Sequence, residues 1–158
     1  MKQALGLLVS LLVSYAAAAV GGLATQREPE FFATLSRPAW APPSWVFGPV
    51  WSVLYTLMGV AAWLIWREKG FRGARVALGL FGAQLALNAL WTWLFFAWRR
   101  GLLAGIEIIL LLVLVVLTTI AFWRVRTLAG ILLLPYLAWV AYATALTIAL
   151  VRRNPTVL

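Results

Sequence analysis

The sequence predicts an all-α integral membrane protein, a bundle of five transmembrane helices in a single domain covering 1–158. Two observations carry this expectation. Hydrophobic residues make up 65% of the chain and charged ones 11%, a balance that suits lipid rather than water as the solvent. Five runs of about 20 apolar residues, each long enough to cross roughly 30 Å of hydrocarbon, lie between small clusters of Arg and Lys. The runs fall at about 4–25, 45–66, 76–98, 102–123 and 128–151, with one long connection, 26–44, expected to be ordered.

The first run, Ala4 to about Thr25, follows Lys2 and is longer than the roughly 7–15 residues of a signal-peptide core, so it is read as a retained helix. Gly6, Ser10 and Ser14, with Ala17 and Gly21, recur every four residues and offer a face on which another helix can come close. The connection carries Arg27, Glu28, Glu30 and Arg37 around Phe31 and Phe32. A loop of that length in a compact bundle is usually functional or disordered, and its aromatic and proline content favours an ordered cover.

From Arg37 to Trp63 the chain reads RPAWAPPSWVFGPVWSVLYTLMGVAAW. Pro38, Pro42 and Pro43 disfavour helix and stiffen the backbone, which restricts Trp40 and Trp45 at the mouth of the bundle. Ser44 is the expected N-cap of the second run, and Pro49 falls in its first turns, where proline costs least. Within the run Trp51, Tyr55, Met58 and Ala62 share one helical face. Arg67–Arg75 is read as a turn.

The third run places Gln84, Asn88, Trp91 and Phe95 on one face, two amides and two rings at membrane depth. Buried amides there need partners, which are other helices or a ligand. On another face Gly79 and Ala83 suit close packing within or between subunits. After Arg99–Gly101, the fourth run is interrupted only by Glu107, expected to reach an interface or an Arg. In the fifth, Pro135 cannot donate to the carbonyl of Ile131, and Tyr136, Trp139, Tyr142, Ala143 and Thr147 stand near the expected bend. Arg152, Arg153 and a short polar tail follow.

The formal charge of +9 does not indicate nucleic acid, because the basic residues sit singly or in pairs at the ends of apolar runs, where they anchor a membrane protein to its lipid bilayer. Seven lie on one side and six on the other, so the positive-inside rule does not orient the bundle. With no cysteine and no histidine, disulfides, thiol chemistry, Ser/His/Asp triads and the usual zinc or haem ligands are excluded; no cofactor and no metal are expected.

Position sorts the tryptophans. Trp63, Trp66, Trp98 and Trp123 lie at run ends, as interfacial anchors do. Trp51, Trp91 and Trp139 lie inside runs on faces that also carry Tyr, Asn or Thr, which suits a shared cavity. Walls of Trp, Tyr, Phe and Met with a few amides fit a large, flat, mostly apolar ligand, and both porphyrins and sterols answer that description. Without an axial ligand, a metal-free porphyrin suits the chain better than haem, with basic residues at the rim for propionates.

The segments PAWAPPSWVFGPVWSVLYTLMG, QLALNALWTWLFF and LLLPYLAWVAYATAL occur in the order and spacing found in the translocator protein family, also called tryptophan-rich sensory proteins or peripheral-type benzodiazepine receptors. The chain resembles that family across all five runs. The resemblance implies a bundle, often a homodimer, that binds porphyrins such as protoporphyrin IX, sterols and synthetic ligands beneath its first loop, and it implies a bacterial inner-membrane location here. It carries pocket roles to Trp40, Trp51, Asn88, Trp91, Tyr136, Trp139 and Ala143, beside Tyr55 from the periodicity above. In some bacterial members light-dependent porphyrin degradation depends on tryptophans matching Trp51 and Trp139, by enzymatic turnover or by photochemistry of a bound sensitiser. The chain departs from the cholesterol pattern of animal members, since TALTIALVRR has no Tyr within five residues before Arg152 and Thr147 stands where relatives often have Asn. Sterol binding is thus the weaker expectation. The alternatives are a transporter of porphyrins or sterols and a structural bundle whose aromatics only pack.

Overall fold

The computed structural model describes residues 2–25 and 28–158; Arg27, counted above among the loop charges, lies outside them. Six α-helices follow in order: α1 (Lys2–Ala24), α2 (Glu28–Thr34), α3 (Phe47–Gly73), α4 (Arg75–Thr92), α5 (Gly101–Val125) and α6 (Thr127–Arg153). All but the short α2 are long and apolar enough to cross a membrane. No strand occurs among the described residues, so the chain is an all-α integral membrane protein with five candidate spans.

The core lies where α3, α4, α5 and α6 meet, around Met58, Ile65, Leu111, Val115, Phe122, Leu133 and Tyr136, each almost wholly removed from the surface. Helix α1 packs on α3 and α4, and its small residues make this possible. A Cβ on Gly59 of α3 would stand 2.8 Å from Leu11 Cδ2 and 3.1 Å from Leu11 Cα, so the backbones touch where the side chain is missing. Gly6 lies under the Trp66 ring in the same way, and Ser14 and Gly21 are buried on the expected face.

Several boundaries differ from the sequence reading. Helix α3 continues beyond Trp66 to Gly73, because Arg67, Glu68 and Lys69 are good helix formers, and its break falls at Gly70, whose φ of 63° suits glycine. Ser44 does not cap the span. Pro43 is extended, Ser44–Val46 form one 3-10 turn closed by Val46 N–H to the Pro43 carbonyl (3.1 Å), and α3 starts at Phe47 with no side-chain cap. Helix α4 ends at Thr92 rather than Trp98. The five residues Trp93–Ala97 form a π turn in which Trp98 N–H reaches the Trp93 carbonyl at 2.8 Å. Such a wide turn gives four consecutive bulky side chains room to leave the axis in different directions.

The long connection contains a helix that the proline and charge pattern did not reveal. Phe31 and Phe32 of α2, with Leu35, form a second apolar cluster with Leu94, Phe95, Ala104, Leu146 and Leu150, which seats this cover on α4, α5 and α6. The C-terminal tail is part of the same arrangement and not a solvated end. Asn154 is buried, and a Cβ on Gly101 would meet Leu158 Cβ at 2.6 Å.

Glu107 also departs from expectation. It shares the inward face of α5 with Ala104, Ile108 and Leu111, is 6% exposed, and neither carboxyl oxygen has a hydrogen-bond partner among the described residues. The helix phase turns it inward, away from the interface and from any Arg. The one ion pair among the described residues, Arg126 with Glu68 at 3.4 Å, is at the opposite end of α5 and exposed, where such pairs contribute about 0–1 kcal/mol.

Candidate functional site

A cavity of about 230 Å³ opens between α1, α3, α4 and α6, and among the described residues none of the connection 28–46, expected above as its roof, lines it. Helix α3 supplies Phe47, Gly48, Trp51, Ser52 and Tyr55, one face of its first turns. Helix α4 supplies Asn88, Trp91 and Thr92; the π turn adds Phe96; α6 adds Trp139 and Ala143. Tyr15, Ala18, Gly21, Gly22 and Thr25 of α1 close the remaining side.

The aromatic wall is continuous. Trp51 and Trp139 meet edge to face, with ring centroids 6.4 Å apart and planes at 87°. Trp51 also leans on Tyr55 at 5.4 Å, and Phe47 abuts Trp139 at 6.0 Å. On the far side Trp91 stacks on Phe95 at 5.4 Å and 18°, and meets Phe96 edge-on at 5.8 Å.

The polar side is a chain of hydrogen bonds that runs from the cavity into the core. Tyr55 Oη donates to Asn88 Oδ1 (2.5 Å), Asn88 Nδ2 donates to Tyr136 Oη (3.2 Å), Tyr136 Oη donates to Gln84 Oε1 (2.6 Å), and Gln84 Nε2 approaches Met58 Sδ at 3.7 Å. Both mid-membrane amides therefore find their partners on other helices. Asn88 has two amide protons and uses one here, so it faces the cavity with its carbonyl committed and a donor to spare. The Trp91 indole Nε1 is buried in the wall with no partner among the described residues and presents no surface to the void.

Of the residues given a pocket role from the sequence, Trp51, Tyr55, Asn88, Trp91, Trp139 and Ala143 line this one void. Two do not. Trp40 is 49% exposed, with its ring against Tyr142 (5.7 Å) and its carbonyl accepting from Tyr142 Oη (2.9 Å). Tyr136 lies behind the wall, fully buried, where it meets Trp51 edge-on at 6.3 Å and anchors Asn88. Trp45 points away, 75% exposed. Of the basic residues at this end, Arg37 sits over Phe32 at 5.1 Å and Arg99 over Phe31 at 4.7 Å, so both hold α2 in place.

The sequence reading missed Tyr15, Phe47, Ser52, Thr92 and Phe96. Phe47 was legible, one turn ahead of Trp51 and Tyr55 on the same face. Tyr15, on the largely apolar α1, donates to the Ser52 carbonyl (3.1 Å) and pairs with Thr56 Oγ1 (2.7 Å), joining α1 to α3 at the cavity edge. Trp93, the first residue of the π turn, donates to the Val20 carbonyl of α1 at 3.0 Å.

Five apolar spans around an uncharged, tryptophan-lined interior cavity define a polytopic integral membrane protein with a built internal site. Comparison of sequences places it further. The family model described as "TspO/MBR family" matches residues 9–153, and the chain belongs to that family. It is similar to the translocator protein of Homo sapiens, 43% identical over 126 residues that cover 78% of this chain and 75% of the human one. It is also similar to the tryptophan-rich sensory protein of Cereibacter sphaeroides, 37% identical over 148 residues (94% and 91%), and to the tryptophan-rich protein TspO of Archaeoglobus fulgidus, 36% over 151 residues (95% and 97%).

Proposed function

We propose that the cavity binds a flat, mostly apolar tetrapyrrole of the protoporphyrin IX type, for sensing, sequestration or light-dependent breakdown. The observation that carries this reading is the uncharged cavity lined by Trp51, Tyr55, Trp91, Phe96 and Trp139. Indole and phenol faces offer a macrocycle dispersion and edge-to-face contact, and the spare amide proton of Asn88 suits polar atoms on its rim. For breakdown, Trp51 and Trp139 are the indoles that would touch the excited ring, with dioxygen as oxidant. Membership of a family with bacterial tryptophan-rich sensory proteins supports a bacterial inner-membrane setting. The exposed Gly79 and Ala83 on the outer face of α4 support a homodimer. Transport of porphyrins or sterols is the weaker reading, because no charged side chain lines the cavity as a path for a polar cargo.

The test is quenching of tryptophan fluorescence by protoporphyrin IX in lipid nanodiscs, for the unaltered protein and for Trp51→Phe and Trp139→Phe. Loss of an indole wall should weaken affinity roughly tenfold, about 1.4 kcal/mol. Equal affinity and equal photoproduct in all three proteins would remove the cavity from consideration.

A further inference from the structure

The enclosed volume, about 230 Å³, is below the roughly 300–1,000 Å³ of sites that hold drug-sized ligands. A macrocycle lodged here must extend beyond it. The structure offers one continuation. On the lipid side of the α3–α6 seam runs an apolar groove of about 530 Å³, floored by Val50, Val53, Leu54, Pro135 and Ala138. Trp139 belongs to both walls, and among the described residues it is the only one that does. One indole therefore separates the interior cavity from a groove open to the bilayer.

That indole is not pinned by a hydrogen bond. Trp63, Trp93 and Tyr142 are each tied by a hydrogen bond to a backbone carbonyl. Trp139 has no such tie among the described residues; its half-buried ring packs against the core and meets Phe47, Trp51 and Tyr142 at 6.0, 6.4 and 5.6 Å. Pro135, which lines the groove one turn before Trp139, leaves the Ile131 carbonyl without its usual helical donor.

We infer that the α3–α6 groove is the second compartment of the ligand site: turning of the Trp139 ring joins it to the cavity, and it takes the part of a large flat amphiphile that the cavity cannot enclose. This rests on the cavity reading above. The occupant is the apolar edge of the ligand; in its absence the groove is filled by lipid acyl chains.

The test fills the groove from its lipid-facing side. Ala138 and Val53 line the groove and not the cavity, and both are exposed, so Ala138→Phe and Val53→Phe add bulk without disturbing the core. Ala86→Phe, in a separate lipid-facing groove between α1 and α4, is the control for added bulk. Protoporphyrin IX affinity is measured in nanodiscs by porphyrin absorbance, with Trp51→Phe in the same series and melting temperatures as the check on folding. The groove variants should each weaken binding about tenfold, since they exclude several tens of Å² of ligand from burial, while Ala86→Phe stays near the unaltered value. If Trp51→Phe weakens binding and neither groove variant does, only lipid occupies the groove and the second compartment is overturned, though the cavity stands. Equal losses in the groove variants and Ala86→Phe also overturn it. No binding by the unaltered protein overturns both readings.

Discussion

Asn154 holds Ser36 by both of its backbone groups. Ser36 N–H donates to Asn154 Oδ1 at 2.8 Å, Asn154 Nδ2 donates back to the Ser36 carbonyl at 3.1 Å, and the remaining amide proton goes to the Leu150 carbonyl at 2.8 Å. One buried side chain at the end of α6 thus fastens the long connection to the bundle, across 118 residues of sequence.

Asn154→Ala removes all three bonds and leaves the Ser36 groups to find water. The expected loss is about 1–3 kcal/mol, because buried polar groups lose their partners. The cover should be affected first, since it is otherwise held by one short helix and by the Tyr142 contact with Trp40. Limited proteolysis should cut the segment between Leu35 and Val46 faster in the variant while the spans stay protected. Unchanged cleavage would mean that Phe31, Phe32 and Leu35 hold the cover without help.

Tyr136→Phe tests the hydrogen-bonded chain. The hydroxyl accepts from Asn88 and donates to Gln84, so its loss orphans two amides at once in the driest part of the bundle. A destabilisation of about 1–3 kcal/mol is expected, measured as a lower melting temperature in detergent. Tyr55→Phe should cost less, because it orphans only Asn88 Oδ1, which borders the cavity.

Gly59→Val tests the approach of α1. The added Cβ would press on Leu11 Cα as well as its side chain, and backbone does not rotate away. A cost of about 1–3 kcal/mol is expected from overpacking. Because α1 supplies one wall of the cavity, ligand affinity should fall with stability. Stability lost with affinity intact would show that α1 is not needed as a wall.

Most of this architecture was legible from spacing. Trp51, Tyr55, Asn88, Trp91, Trp139 and Ala143 fall inside helices, where a period of 3.6 residues decides which way a side chain faces. The failures lie where that period is broken or where facing is set from afar. An α-helical phase puts Phe95, not Phe96, below Trp91, and the π turn brings Phe96 to the cavity. Trp40 is braced by prolines as expected, but its direction follows from Tyr142, 102 residues later in the chain. The short α2 escaped notice because its two phenylalanines sit side by side and show no helical period.

Arg99 has a φ of 52°, the left-handed region, and its guanidinium covers the Phe31 ring at 4.7 Å. The two features oppose each other. Arg99→Ala keeps the strained backbone and loses the cation–π contact, so it should be less stable by about 0.5–1 kcal/mol. Arg99→Gly loses the contact too but relieves a strain of about 1–2 kcal/mol, and should melt close to the unaltered protein. If glycine is the worse of the two, backbone strain is not what limits this turn.

Glu107 gives the prediction with the opposite sign. Its carboxyl is buried on the packed face of α5 with both oxygens unpaired among the described residues, and leaving buried polar atoms without partners costs about 1–3 kcal/mol. Glu107→Met keeps much of the volume and removes the polar atoms. Replacing buried polar or charged groups with apolar ones of similar size is often stabilising, so a higher melting temperature is expected. A stabilised variant that also keeps its protoporphyrin IX affinity would mark Glu107 as separate from the cavity, which it does not line. A lower melting temperature would instead reveal a partner for the carboxyl, because only a satisfied acid is missed when it is removed.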